Sequence, residues 1–402
     1  MSRFLLCLLL GLALPAGAQE PTVILLSWDG VRWDYPDRTE LPALARVARQ
    51  GVRAERLVPV FPTSTFPNHV SLATGARVDR HGIVGNVFRD PERGVYRYSD
   101  EADWIEAEPL WAAAERQGVR TASFFWVGSE TDWGEWGTTH RRAPFDADVG
   151  EAEKVDQILG WLDLPEEERP RLIVSWWHGA DATGHQLGPD HPDIAEQLIG
   201  QDAELARLLA GLDAREAWSH TTLIVVSDHG MTAVEETLDV AEVLEEAGVQ
   251  AEVFPLGGFG YVTLEDRARL DDALALLGGI DGLEAHPSDQ LPEALRARHP
   301  RRTGDITLIA TPPLALWRAN ELSTRLYVGF RRLLGGSFGL HGYRASHPDM
   351  HAIFFAMGRG IPAGLEVGAV EVVDVAPTVT RLLALEPPRE AEGRAIPGIG
   401  GP

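Results

Sequence analysis

Five ionisable side chains lie at or shortly after the ends of three apolar runs that are typical of buried strands. In chain order they are Asp29, Asp181, His185, Asp228 and His229. An aspartate or histidine in this position often only caps a turn, but three such strand ends in one chain favour a shared site. Carboxylates held close together raise each other's pKa, and divalent metal ions remove that conflict. Mixed aspartate and histidine ligands suit zinc better than magnesium or calcium, so the pattern predicts a zinc site.

A two-zinc centre needs one or two ligands more, and the segment 339–354 offers three histidines. His341, which is followed by a glycine, is the expected ligand among them. His347 is a weaker candidate, and His351 is expected at the start of a strand in a structural role. His69 lies within a predicted helix and is not expected to bind metal.

Three hydroxyl side chains precede a predicted helix in the stretch FPTSTFPNHVSLATG, residues 61–75. Thr63, Ser64 and Thr65 stand just before Pro67, and a hydroxyl followed by proline is a common helix start. The alternative is that one hydroxyl is a nucleophile, because backbone N–H groups at a helix N-terminus point towards an incoming anion.

Short β-rich runs alternate with amphipathic helical stretches along most of the chain. Alternation of this kind predicts an α/β fold, with a mostly parallel central sheet and helices on both faces. The predicted strands are 23–28, 120–126, 171–177, 221–227 and 350–357, and the predicted helices are 41–50, 108–117, 193–212 and 373–385. In such a sheet, ligands bind outside the carboxyl ends of the strands.

Two parts of the chain depart from this alternation. Residues 250–325 contain short strands, glycine pairs and a charged helix, which predicts a small α+β auxiliary element within a catalytic domain of residues 19–402. The segments 78–107 and 127–150 are predicted to be long loops, and long loops in such folds are usually functional.

The first 18 residues have the pattern of a secretory signal peptide: a basic residue, an apolar run and a small-residue cleavage site. Cys7, the one cysteine of the sequence, lies within it, so no disulfide is expected in the mature chain. No later stretch has the ~20 apolar residues of a membrane-spanning helix. The pattern predicts a periplasmic or secreted protein. It gives no indication of the oligomeric state.

The formal net charge is −24 over 402 residues. Duplex nucleic acid is bound by neutralising phosphates with lysine and arginine, so a nucleic-acid partner is not expected. A small phosphorylated substrate is compatible with this charge if a metal supplies positive charge locally.

Six motifs in order resemble the nucleotide pyrophosphatase/phosphodiesterase family of the alkaline phosphatase superfamily. They are the DG at Asp29, TFPNH at 65–69, HGIVGN at 81–86, DATGH at 181–185, SDHGM at 227–231 and HGY at 341–343. The last predicted helix, DVAPTVTRLL at 374–383, is also similar to that of the family. The resemblance covers essentially the whole mature chain. One departure precedes Asp181, where the family often has Glu-Pro and this chain has Gly179-Ala180.

The resemblance implies a role for each matching residue. Thr65 would be the nucleophile, and Asn86 would donate to a phosphoryl oxygen. One zinc ion would be held by Asp181, His185 and His341, and the other by Asp29, Asp228, His229 and the Thr65 oxygen. Phe66 and Trp176 would stack on the base of a nucleotide substrate.

The implied reaction is hydrolysis of a nucleotide phosphodiester or phosphoanhydride to a nucleoside 5′-monophosphate through a phospho-threonine. Bound zinc would lower the pKa of the Thr65 hydroxyl, and a second zinc would stabilise the leaving oxygen. A phosphomonoesterase, a lipid-headgroup phosphodiesterase and a non-catalytic binding protein are the alternatives. The stretch 124–133 contains no lysine or arginine for the extra charge of a monoester, which favours the diester.

Overall fold

The structure is a computed structural model that describes residues 19–317 and 338–400. The predicted signal peptide and the last part of the predicted auxiliary element, 318–325, lie outside the described residues. Among the helices of the described ranges, none is both long and apolar enough to cross a membrane.

The strands of the described residues are numbered in chain order. They are β1 Thr22–Trp28, β2 Val52–Val58, β3 Val87–Asp90, β4 Gly94–Arg97, β5 Thr121–Phe124, β6 His140–Arg142, β7 Leu172–Trp177, β8 Thr221–Val226, β9 Thr232–Val234, β10 Glu236–Leu238, β11 Ala251–Pro255, β12 Phe259–Leu264, β13 Leu283–Pro287, β14 Ile306–Ala310, β15 Leu314–Leu316, β16 Phe338–Leu340, β17 Phe354–Gly358 and β18 Leu365–Glu371.

The α-helices are numbered in the same way. They are α1 Tyr35–Arg38, α2 Pro42–Gln50, α3 Thr65–Thr74, α4 Val78–His81, α5 Leu110–Arg116, α6 Glu151–Leu162, α7 Asp181–Leu187, α8 Pro192–Ala214, α9 Val240–Glu246, α10 Leu270–Leu277 and α11 Val375–Leu382.

The central sheet has eight strands in the order β18–β2–β17–β8–β1–β7–β5–β6. Only β17 runs antiparallel to its neighbours, so the predicted mostly parallel sheet is confirmed. Strand β1 is buried along its whole length, as a continuous apolar run predicts for a strand covered on both faces.

Successive side chains of β1 enter two different cores. Val23 and Leu25 pack on the face that carries α3, α5 and α11, while Ile24 and Leu26 pack on the face that carries α2, α6 and α8. The period of two along a strand sends alternate residues to opposite faces. Helices therefore cover both faces of the sheet, as expected.

Several predicted boundaries needed correction. The strand expected at 350–357 begins at Phe354, because Pro348 starts a 3-10 turn that runs to Met350. His351 therefore precedes the strand. The segment 78–107 was expected to be a loop and instead contains α4 and the β3–β4 hairpin, and 127–150 contains β6.

Residues 251–310 form a second sheet, which has a core of its own. Its four strands are all antiparallel in the order β11–β12–β14–β13, and α10 packs on it. The turn between β11 and β12 reaches the catalytic edge of the central sheet, because the Gly258 N–H donates to the His341 carbonyl oxygen at 2.9 Å. The auxiliary sheet thus helps to hold one of the predicted metal ligands.

Candidate active site

The three predicted ligand segments meet at one edge of the central sheet. Strands β7, β1 and β8 are adjacent and parallel, so their carboxyl ends lie side by side. Asp29 follows β1, Asp181 begins α7 after β7, and Asp228 follows β8. The convergence predicted from the sequence is therefore present.

Two glycines allow these strand ends to approach closely. Gly30 and Gly179 both have positive φ, 66° and 62°. A β-carbon on Gly179 would lie 1.7 Å from the Asp29 carbonyl oxygen, and one on Gly30 would lie 2.8 Å from the Asp181 α-carbon. Gly179, which departs from the family pattern, is thus required by the contact between the ends of β1 and β7.

The first cluster is built on one turn of helix α7. Asp181 and His185 are four residues apart, and the His185 Nε2 lies 3.2 Å from the Asp181 Oδ1. The His341 Nε2 lies 3.7 Å from the same oxygen. These three side chains place one ligand atom each within 4.8 Å of one another.

The second cluster lies beside it and is fully buried. The His229 Nε2 is 3.1 Å from the Asp228 Oδ2 and 3.7 Å from the Asp29 Oδ1. The His229 and His341 rings stack with centroids 3.8 Å apart, which joins the two clusters.

The same hydrogen-bond pattern orients all three histidines. The Nδ1 atoms of His185, His229 and His341 lie 2.9, 2.9 and 3.0 Å from backbone carbonyl oxygens. A carbonyl can only accept, so each Nδ1 carries a proton and each Nε2 faces the carboxylates, where it presents a lone pair whenever the ring is neutral. Carbonyl acceptors that bond to the second ring nitrogen in this way fix metal-binding histidines in other proteins.

The carboxylates complete an arrangement that a bound cation would stabilise. Asp29 Oδ1, Asp181 Oδ1 and Asp228 Oδ2 are buried and have no hydrogen-bond partner among the described residues. Lone pairs of nitrogen and oxygen thus face one another, and buried charges without partners are strongly unfavourable. The residues present fit divalent metal ions with mixed nitrogen and oxygen ligands.

In the metal-free protein, the crowding of these buried carboxylates and imidazoles shifts the pKa values of Asp29 and His185. Burial, helped by repulsion from Asp228 and Asp181, raises the pKa of Asp29 well above its ordinary value. Burial alone would lower the pKa of His185, but the Asp181 carboxylate raises it to about 8. Without metal, protons must neutralise part of the cluster.

Thr65 is the first residue of α3, and its hydroxyl points into the cluster. Its Oγ1 lies 3.2 Å from the His229 Nε2. The Thr63 hydroxyl is engaged elsewhere, because it donates to the Tyr343 carbonyl oxygen at 2.9 Å. Ser64 occupies the cap position in extended conformation without a side-chain cap. Of the three hydroxyls, the one on Thr65 is brought to the clusters.

Asn86 lies beside the start of α3. Its Oδ1 accepts from the Phe66 N–H at 2.9 Å, which leaves the amide Nδ2 to donate towards the cavity. The predicted donor is therefore fixed in orientation by the helix N-terminus.

Three further histidines were considered as ligands in the sequence analysis, and each of them contacts other protein groups. They are His69, His347 and His351. His69 donates from Nδ1 to the Thr65 carbonyl at 2.9 Å, and its Nε2 lies 2.8 Å from the Ser27 hydroxyl. Its Nδ1 also lies 3.4 Å from the Asp228 Oδ2, so His69 is close enough to Asp29 and Asp228 to form a third group that could hold a metal ion, which the sequence did not lead us to expect. The His351 Nε2 lies 3.0 Å from the Ala345 carbonyl oxygen, and His347 caps the following 3-10 turn.

The clusters open into a cavity of about 1380 Å³. Phe66 and Trp176, the two predicted base-stacking residues, both line it. Other lining side chains were not predicted individually: Arg97, Tyr98, Glu130, Phe145 and Trp317. The first four come from the segments 78–107 and 127–150. The length of these segments was the feature of the sequence that indicated a functional role.

Trp176 has a contact that the sequence did not indicate. Its indole Nε1 donates to the Asp29 Oδ2 at 2.8 Å. Its ring also packs edge-on against Phe145, with centroids 5.1 Å apart. Trp176 therefore supports a predicted metal ligand as well as lining the cavity.

The model of the type I phosphodiesterase/nucleotide pyrophosphatase family matches residues 23–344. An uncharacterized pyrophosphatase/phosphodiesterase of Schizosaccharomyces pombe is 32% identical over 84% of this chain and 71% of its own. The human ectonucleotide pyrophosphatase/phosphodiesterase family member 7 is 29% identical over 91% of this chain and 80% of its own. This chain spans 48% of a similar protein of Caenorhabditis elegans.

Solved structures show the same fold. Murine ectonucleotide pyrophosphatase/phosphodiesterase 5, an inactive threonine-to-alanine variant in complex with AMP, matches with a TM-score of 0.82 at 24% identity over 92% of this chain and 96% of its own. The human protein of that name matches with a TM-score of 0.81 at 26% identity over 91% and 96%. The fold is alkaline phosphatase-like, and this chain is a member of the type I phosphodiesterase/nucleotide pyrophosphatase family of metal-dependent hydrolases.

Proposed function

We propose that this enzyme binds two zinc ions and hydrolyses nucleotide phosphodiesters or phosphoanhydrides to nucleoside 5′-monophosphates. The observation that carries the proposal is the position of the Thr65 hydroxyl, 3.2 Å from His229, between a helix N-terminus and two carboxylate–imidazole clusters. Asp181, His185 and His341 would hold one zinc ion. Asp29, Asp228, His229 and the Thr65 oxygen would hold the other.

Zinc, when bound, would supply Lewis acidity that activates the hydroxyl and stabilises the leaving oxygen. The chain itself supplies the nucleophile and its surroundings. Thr65 attacks phosphorus, the bond to the leaving group breaks, and a phospho-threonine is formed that water hydrolyses. The Asn86 amide and the Thr65 N–H, which has no intrahelical partner in the first turn, donate to the phosphoryl oxygen.

The cavity supports a substrate with a large organic group on phosphorus. Its volume of about 1380 Å³ far exceeds the space that one phosphate needs, and aromatic side chains line it. Phe66 meets Tyr98 edge-on at 5.2 Å, which would leave a ring face for a base. Stacking on Phe66 and Trp176 would tolerate any base identity. The murine relative that holds AMP is consistent with such a ligand.

The predicted leader supports a periplasmic or secreted location for this activity. The test of location is the N-terminus of the exported protein, which should begin near residue 19. A chain that retains residues 1–18 in the cytoplasm would contradict it.

The test of function compares Thr65→Ala with Thr63→Ala on four substrates. These are ATP, bis-p-nitrophenyl phosphate, p-nitrophenyl phosphate and p-nitrophenyl phosphorylcholine. We expect ATP and the diester to be cleaved by the parent protein, with AMP as the nucleotide product, and Thr65→Ala to lose turnover while it stays folded. Thr63→Ala serves as the control because its hydroxyl bonds only to the backbone of Gly342 and Tyr343 among the described residues; it should keep turnover, with at most a weaker hold on the segment that carries His341. Activity confined to the monoester, or to the phosphorylcholine ester, would replace the proposal by the corresponding alternative.

A further inference from the structure

Lys154 is a fully buried lysine that the proposed reaction does not use. It lies in the first turn of α6, and its side chain has no exposed surface. The Nζ atom has no hydrogen-bond partner among the described residues. A buried ammonium without hydrogen bonds is unfavourable, and its ion pair with Glu151 at 3.7 Å offsets only part of that cost. Its presence therefore calls for an explanation other than packing.

The ammonium of Lys154 faces aromatic rings. Its Nζ lies 5.0 Å from the ring centroid of Trp176 and 5.9 Å from that of Phe125. A cation over the face of tryptophan is attracted by the ring quadrupole, and the attraction is larger where water is excluded. The ring of Trp176 is thus the nearer of the two rings that this charge faces.

The nearest carboxylate, that of Glu151, forms an ion pair with Lys154 and also accepts hydrogen bonds from His178. Glu151 Oε1 lies 3.7 Å from the Lys154 Nζ, beyond hydrogen-bonding distance. The same oxygen accepts from the His178 N–H at 2.9 Å and from its Nδ1 at 2.7 Å. Burial lowers the pKa of Lys154 to about 8, with Glu151 acting in the opposite direction, so the side chain remains largely charged at neutral pH.

The other edge of the Trp176 ring reaches the metal clusters. Its Nε1 donates to the Asp29 Oδ2 at 2.8 Å, while the Asp29 Oδ1 has no hydrogen-bond partner in the part of the chain that the structure describes. The indole therefore decides which carboxylate oxygen is free to bind metal. A cation on the face of the indole withdraws electron density from the ring and makes its N–H a stronger donor, as hydrogen-bond networks polarise one another.

We infer that Lys154 is a positioning residue, which acts through the indole of Trp176 to hold Asp29 as a metal ligand. This inference rests on the proposed two-zinc site. Loss of an outer-shell partner typically weakens metal binding by about 10- to 100-fold. Loss of Lys154 should thus weaken metal affinity by more than a comparable loss of fold stability would explain.

The experiment measures zinc affinity by competition with a chromophoric chelator, and thermal unfolding of the metal-free proteins. Lys154→Met should weaken the binding of zinc at the Asp29 site by about tenfold, and it should lower the melting temperature of the metal-free protein because Glu151 loses its counter-charge. Trp176→Phe, which keeps a ring but removes the N–H, should give a similar loss. The double variant should lose no more zinc affinity than either single variant, because both residues are proposed to act on Asp29 through the same indole N–H.

Asp202→Asn is the matched control. Asp202 is buried, accepts from the backbone N–H groups of Ala43 and Leu44 at the start of α2, and lies in none of the contacts described for Trp176. This variant should lower the melting temperature and leave zinc affinity unchanged.

Zinc affinity within twofold of the parent in Lys154→Met, or losses that add in the double variant, would overturn the inference. If Lys154→Met does not fold, unchanged affinity in Trp176→Phe overturns it alone. A parent protein that binds zinc but cleaves no diester would refute the proposed reaction and leave the zinc comparison valid. A parent that binds no zinc would refute both.

Discussion

Two half-buried carboxylates, Glu130 and Glu151, should respond to pH with opposite signs, and the comparison between them tests the electrostatics of their surroundings. Burial raises the pKa of Glu130 from 4.5 to about 7, with backbone hydrogen bonds opposing the rise and Asp100 adding to it. Its Oε2 has no hydrogen-bond partner among the described residues. For Glu151, burial alone would raise the pKa, but the His178 hydrogen bond and the Lys154 charge lower it to about 2.

The sign for Glu130 follows from proton binding. Between pH 4.5 and about 7 the folded protein retains a proton that the unfolded chain has released, so the free energy of unfolding falls as pH rises. At ~1.4 kcal/mol per pKa unit, the full effect is about 3 kcal/mol. The glutamine of the Glu130→Gln variant cannot titrate, so the free energy of unfolding of this variant should not fall with pH for this reason. Its stability relative to the parent should rise by about 2–3 kcal/mol between pH 5 and pH 8.

Glu151 provides the matched control, because its stabilising ionisation is complete above pH 4.5 and is lost only as pH falls towards 2. Glu151→Gln should therefore be destabilised by about 3 kcal/mol, almost equally at pH 5 and pH 8. The assay is urea unfolding of each variant and the parent with chelator present, so that titration of the metal ligands cancels in the difference. The reasoning is refuted if the effect of Glu130→Gln is the same at both pH values.

The remaining predictions concern the site itself. Elemental analysis of protein purified without chelator should give about two transition-metal ions per chain, and full activity in a metal-free preparation would contradict the mechanism. Asn86→Ala should lower kcat by about 100-fold or more with little change in KM, since its amide is proposed to act on charge that develops in the transition state; an effect confined to KM would assign it to ground-state binding. Trp176→Ala should lower kcat/KM for nucleotides by a further ~tenfold relative to Trp176→Phe, because only the alanine variant removes the stacking ring. Bis-p-nitrophenyl phosphate, which has no base, should show similar losses in both variants, and equal losses on both substrates would mean that Trp176 reads no base.

The sequence was sufficient to predict the ligand cluster because sheet geometry is general. Apolar runs that end in Asp29, Asp181 and Asp228 must bring those residues to one edge if the strands are parallel neighbours. The four-residue spacing of Asp181 and His185 likewise predicts that both side chains lie on the same face of a helix. These inferences need only the periodicity of strands and helices.

The outer partners of the site could not be predicted in this way. Lys154 lies 27 positions before Asp181 in a different helix, and only the packing of α6 against β7 brings its ammonium to the Trp176 ring. Phe145 and Glu130 belong to segments without a periodic pattern, so nothing in the sequence indicates where their side chains point. The start of β17 was missed because the turn at Pro348 depends on a local cap and not on the apolar run.

The contact between the auxiliary sheet and His341 has a consequence for the order of folding. The proposed metal ligands extend from Asp29 to His341 along the chain, and the last of them is held by Gly258 in the β11–β12 turn. Contacts between residues so distant in sequence form late, because the chain between them must first be ordered. Metal uptake should therefore mark the end of folding, and a bound ion would then act as a cross-link between the central sheet and the auxiliary sheet.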